Sequence, residues 1–127
     1  VVSLFGPPVK FDVSLPLSAI AAFAADAASL VARRAPTAVP VLFGHVGEGN
    51  LHLNVLRCDG AQQATIYPAM MELIAAHGGN ASSEHGVGSR KRAYLALSRQ
   101  PADIAVMRTI KTALDPTGYL NPAVLFD

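Results

Sequence analysis

Charge is scarce in this 127-residue sequence, cysteine occurs once and no long apolar run is present, and each shortage removes a class of function. The single thiol, Cys58, closes no internal disulfide and has no second cysteine near it, so it reads as an inert residue rather than a redox device. A net charge of +1 offers no electrostatic case for nucleic acid. No apolar run reaches the roughly 20 residues that span a bilayer. The start "VVSLFGPPVK" lacks both the basic region and the cleavage pattern of a signal peptide. These absences predict a soluble, unexported, cytoplasmic chain with no membrane span. Only 15% of residues are charged while 51% are hydrophobic, which argues against disorder and requires that a sizeable apolar surface be covered by a core or a partner. The length suits one compact domain. The chain begins at Val1 rather than Met, from which a processed product or a piece of something longer is expected.

After a short extended start, "KFDVSLP" alternates Phe11, Val13 and Leu15 with Asp12 and Ser14, the period of a half-buried strand. Ser18 is placed to cap a helix whose stripe is Ile20, Phe23, Ala24, Ala27, Leu30 and Val31, ending near Arg33, Arg34 and Pro36. "AVPVLFGH" and "NLHLNVLR" are two strand-like runs joined by the hairpin turn "VGEG". A second helix over 61–77 groups Ile66, Met70, Leu73 and Ile74 and stops at Gly78 and Gly79; Met70 and Met71 read as core fillers. "NASSEHGVG" breaks all periodicity. A third helix is predicted from about Val87 to Leu97 and a fourth from Pro101 to Leu114, before a turn-rich tail. This order predicts an α+β fold: a ferredoxin-like antiparallel sheet with helices packed on one face, plus C-terminal helices. A fourth strand has to come from "NASS" or from outside the chain.

The hairpin carries two histidines. With Glu48 and Gly49 as a two-residue turn, His45 stands opposite His52 on one face; with a three-residue loop ending in Gly49, His45 instead faces Leu51. In either register His52 and Asn54 lie opposite Leu51, Leu53 and Val55. Two imidazoles make a weak metal site, and Glu84 in "SSEHGVG" is the best third ligand, giving a His2Glu set suited to zinc or manganese. Bland readings stand beside this one: single histidines bonded locally, and Glu84 as an acid favoured at the start of the following helix. "GVGSRK" lacks the GxxxxGK[ST] pattern of a phosphate loop, and Arg90, Lys91 and Arg92 read as a basic run spread round a solvated helix, without the aromatics of an RNA-binding sheet.

"KFDVSLPL", "GHVGEGNLHLNV", "SSEHGVGSRK" and "ALDPTGYLNP", in that order, resemble the C-terminal domain of FAD-linked oxidases of the vanillyl-alcohol oxidase superfamily. The branch is that of D-lactate dehydrogenases, the glycolate oxidase D subunit and D-2-hydroxyglutarate dehydrogenase. The resemblance implies that residues 1–127 form a substrate or cap domain closing over a flavin held by an N-terminal FAD-binding domain outside this chain. It implies an oxidoreductase that converts a small D-2-hydroxy acid to the 2-oxo acid with hydride transfer to FAD, the chain alone being inactive. By match, His45, His52 and Glu84 would bind the divalent metal, His85 would be the catalytic base, and Asn54 and Lys10 would meet the substrate. The tail departs from the family in reading "NPAVLF" where Gly and Lys more often follow "NP". The upstream arginine that usually helps to clamp the substrate carboxylate is not recognisable. A non-catalytic metal or small-ligand binding module is the alternative function, and a metal-free interaction domain a third.

Overall fold

The computed structural model describes residues 6–126, so the first five residues of the expected extended start lie outside them. Alternation of Val9, Phe11 and Val13 with Lys10, Asp12 and Ser14 builds β1 (Val9–Ser14). A 3-10 turn at Leu17–Ala19 then leads into α1 (Ile20–Arg34). Ser18 does not cap this helix: it lies inside the turn, which is closed by the Ala19 N–H donating to the Pro16 carbonyl, and Ala19 takes the N-cap position. Next come β2 (Val39–His45), β3 (Asn50–Leu56) and α2 (Gly60–Ala76). Asp59 starts α2 by accepting the Gln62 N–H, while the Gln62 side chain accepts the Asp59 N–H, so two otherwise orphaned donors are satisfied.

The sheet order is β1-β3-β2, and β3 is antiparallel to both neighbours. β1 and β2 therefore run parallel with β3 between them, the split βαβ of a ferredoxin-like fold. The fourth strand sought in "NASS" is reduced to one bridge, in which Ser14 and Asn80 exchange backbone hydrogen bonds of 3.2 and 2.8 Å on the outer edge of β1. The two long helices lie against one another and cover one sheet face. Phe23, Ala27 and Val31 of α1 and Ile66, Met70, Met71 and Ile74 of α2 are buried with Phe11, Val13, Leu51, Leu53 and Val55 in one continuous core. Met70 and Met71 do fill that core, at 0% and 1% exposure.

Neither expected hairpin register holds. The connection is a 3-10 turn at Val46–Glu48 followed by Gly49, and it sets His45 opposite Asn50 and Phe43 opposite His52. Gly49 is the reason. Its φ of +73° is left-handed, its carbonyl accepts the Leu15 N–H at 2.9 Å, and any Cβ there would strike the Leu15 carbonyl oxygen. The turn is thereby pinned to the end of β1. Relative to the two-residue turn, the register moves by two residues, which keeps His45 and His52 on a common face.

The third helix is broken rather than continuous. α3 (Gly88–Lys91), a 3-10 turn (Arg92–Tyr94) and α4 (Leu95–Ser98) follow one another. The break brings Tyr94 to 5.7 Å from the Tyr67 ring and buries Leu95. The last helix, α5 (Pro101–Leu114), begins with proline and buries none of its residues.

Candidate active site

Strand parity decides what the second sheet face carries. Lys10 pairs with Asn54, Asp12 with His52 and Ser14 with Asn50, while Val41, Phe43 and His45 complete the same face from β2. Helices cover the opposite face, so this one is free for residues 80–91 to cross part of it.

Asp12 anchors the crossing segment. Its side chain is buried, and its carboxylate accepts the backbone N–H groups of Ser83 at 3.2 Å, Glu84 at 3.1 Å and His85 at 3.0 Å. The Lys91 ammonium lies 3.7 Å from the same carboxylate and donates to the Asp12 carbonyl at 3.4 Å. Burial pushes the Asp12 pKa up, but the His85 and Glu84 N–H groups and the Lys91 charge outweigh it and hold the group below its ordinary value of 3.8. Burial likewise draws Lys91 below its ordinary value, with Asp12 opposing.

Glu84, presented by this segment, faces three imidazoles. Its Oε1 is 3.6 Å from His45 Nδ1 and accepts a hydrogen bond from Asn50 Nδ2; its Oε2 is 3.9 Å from His52 Nε2 and 3.8 Å from His85 Nε2. The His52 and His85 rings stack with centroids 5.7 Å apart, and Phe43 packs on His52 at 5.3 Å. Beside them opens a cavity of about 400 Å3 whose lining includes Lys10, Asn54, Tyr67, His85, Arg90 and Lys91. The candidate site residues thus lie in one neighbourhood: His45, His52, Glu84 and His85 form the cluster, and Lys10 and Asn54 stand side by side at the cavity.

The basic run meets expectation only in part. Arg90 is exposed, with its guanidinium 4.8 Å above the Tyr67 ring, whereas Lys91 is largely withdrawn from solvent against Asp12; both line the cavity. Arg92 donates to the Ala123 carbonyl at 2.8 Å. Sequence reasoning passed over Asp12. The signal available was its place two residues after Lys10 on the strand that would pair with the histidine-bearing one.

Two imidazole nitrogens and a carboxylate facing one another are donors that suit a borderline-soft divalent cation. The Asn50 Oδ1 beside them is buried without a hydrogen-bond partner. The residue types fit such an ion, although among the described residues no three His, Cys, Asp or Glu side chains converge to ligand distance of a single point.

The split βαβ sheet thus carries a carboxylate–imidazole cluster beside a cation-lined cavity. The family model described as FAD linked oxidases, C-terminal domain, matches residues 5–125, and the chain belongs to that family. It is 38% identical over 126 residues to a D-2-hydroxyglutarate dehydrogenase of Stutzerimonas stutzeri, covering 94% of this chain and 27% of that protein. It is 41% identical over 127 residues to one of Xanthomonas citri pv. viticola, with the same coverage. A mitochondrial D-2-hydroxyglutarate dehydrogenase of Bos taurus is 40% identical over 116 residues, 89% of this chain and 21% of that protein. The chain therefore spans about a quarter of the length of the curated relatives it matches. Among the described residues no helix is long and apolar enough to cross a membrane.

Proposed function

We propose that this chain is the substrate-side domain of a flavoprotein that oxidises a D-2-hydroxy acid to the 2-oxo acid, working against an FAD-binding domain of the same parent protein. The observation that carries the reading is the meeting of Glu84 with His45, His52 and His85 at the edge of a cavity lined by Lys10 and Asn54. The names of the relatives favour D-2-hydroxyglutarate within the class that also holds D-lactate and glycolate. Lys10 at the cavity supplies a cation for a substrate carboxylate.

In this reading His45, His52 and Glu84 hold a divalent cation, zinc or manganese. Bound there, the cation would supply Lewis acidity at the substrate hydroxyl, and FAD the hydride-accepting ring. The residues of the chain do the rest. Lys10 and Asn54, adjacent on β1 and β3, orient the acid by its carboxylate and hydroxyl oxygens. His85 takes the hydroxyl proton on Nε2 as general base as hydride leaves the second carbon.

The test uses the complete flavoprotein that contains this chain. Mixed anaerobically with D-2-hydroxyglutarate, D-lactate or glycolate, its flavin absorbance should bleach with at least one of them and not with the L enantiomer of the chiral acids. A flavin that stays oxidised with every D-2-hydroxy acid, with metal supplied, would overturn the reading.

A further inference from the structure

We infer that Asp12 is the positioning residue of this site: one buried carboxylate fixes the loop that bears Glu84 and His85, and selects which ring nitrogen of His52 and of His85 is turned toward Glu84. The inference rests on the roles proposed above for those three residues.

Two independent sets of contacts meet on Asp12. The first is with backbone. Three successive N–H groups, of Ser83, Glu84 and His85, end on this carboxylate in a segment without regular secondary structure. Three charge-assisted hydrogen bonds on consecutive residues fix the path of the chain where the two functional side chains leave it. The second set is with rings. Oδ2 of Asp12 lies 3.5 Å from Nδ1 of His85, and Oδ1 lies 3.8 Å from Nδ1 of His52. The other nitrogen of each ring, Nε2, faces Glu84 at 3.8 and 3.9 Å.

Each imidazole thus stands between two carboxylates, of which only Asp12 is buried. A neutral imidazole carries its proton on the nitrogen beside the fixed anion, which leaves the Nε2 lone pair on the Glu84 side, where a ligand or a base needs it. Lys91 completes the device. Its ammonium offsets the Asp12 charge, so that a second carboxylate, Glu84, can stand close by without the two repelling each other apart.

The experiment reads the ring tautomers directly. The 127-residue chain, which encloses a continuous core of its own, is labelled with 15N-histidine and studied by long-range 1H–15N correlation at a pH where the rings are neutral. His52 and His85 should carry the proton on Nδ1. His77, whose Nε2 meets Asp26 at 3.0 Å away from the site, should carry it on Nε2 and serves as internal control. Asp12→Asn should abolish the Nδ1 preference in both site rings and speed hydrogen exchange at residues 83–85, leaving His77 unchanged. Wild-type rings protonated on Nε2 at His52 and His85 would overturn the inference without any variant, and so would unchanged tautomers in Asp12→Asn.

In the complete flavoprotein, Asp12→Asn should lower both kcat and zinc affinity by about 10–100-fold, the usual cost of removing a residue that orients a ligand. KM should change less than kcat. A purely structural Asp12 would instead lower the melting temperature with kcat unchanged in the folded fraction. If the wild-type flavoprotein oxidises no D-2-hydroxy acid while the tautomers respond as stated, the proposed function falls and the positioning role stands.

Discussion

The two faces of the sheet are made by the same strands and are held in opposite ways. On the helix-covered face, Val9, Phe11, Val13, Leu51, Leu53 and Val55 are each at most 1% exposed, and their contribution scales with apolar area rather than with direction. On the other face, Lys10, Asp12, His52 and Asn54 alternate with those core residues, and order depends on a few directional contacts to a loop more than seventy residues further along, such as the Glu84 N–H on Asp12. Burial of the first face fixes where the strands are. Directional bonds on the second fix where the chemistry is, so the two should fail differently when single residues are removed.

The largest separation should come from His85→Ala in the complete flavoprotein. Loss of a positioned general base costs about 10²–10⁴-fold in turnover, and the His85 side chain is 68% exposed, so the melting temperature should hardly move. Metal content, read by elemental analysis, should persist in this variant and fall in His45→Ala. Metal lost from His85→Ala, with activity recovered in excess metal, would reassign His85 as a ligand. On the opposite face, Phe11→Ala should cost about 3–5 kcal/mol and Leu53→Ala about 2–5 kcal/mol in denaturant unfolding. Val41→Ser, at a half-exposed position on the site face, should stay within about 0.5 kcal/mol. A Val41→Ser loss equal to that of Leu53→Ala would erase the distinction between the faces.

The covered face was legible because burial imposes a period. Phe11 and Val13, the Phe23–Val31 stripe and the Ile66–Ile74 stripe each follow the repeat of their element, so strands, helices and core could be read without knowing what touches what. The hairpin register was not legible. It is decided by Gly49 lying under Leu15, a contact between the hairpin turn and the end of β1 that no local pattern encodes. His45 and His52 nevertheless share a face, because the true register differs by an even number of residues from one of those weighed. Asp12 was hidden for a related reason: a strand's polar residues default to solvent, and only the return of residues 83–91 converts this one into a buried anchor. The same long-range contact turned Lys91 from a surface charge into a counter-ion.

The smallest expected effect tests whether directional contacts on two carboxylates also govern stability in acid. Asp12 and Asp115 both have pKa values below their ordinary 3.8. For Asp12 the N–H groups and Lys91 overcome burial; for Asp115 the Lys111 hydrogen bond leads, helped by the Leu120 and Tyr119 N–H groups. With folded values below unfolded ones, the unfolded chain binds more protons between the two, so stability rises with pH across that interval. The contribution is complete above about pH 5 and is lost as pH falls through the folded values. Thermal unfolding of the metal-free chain between pH 6 and pH 2 should therefore show a descending acid limb that Asp115→Asn makes shallower. A melting temperature that does not change across that range would mean that neither carboxylate is held as the contacts indicate.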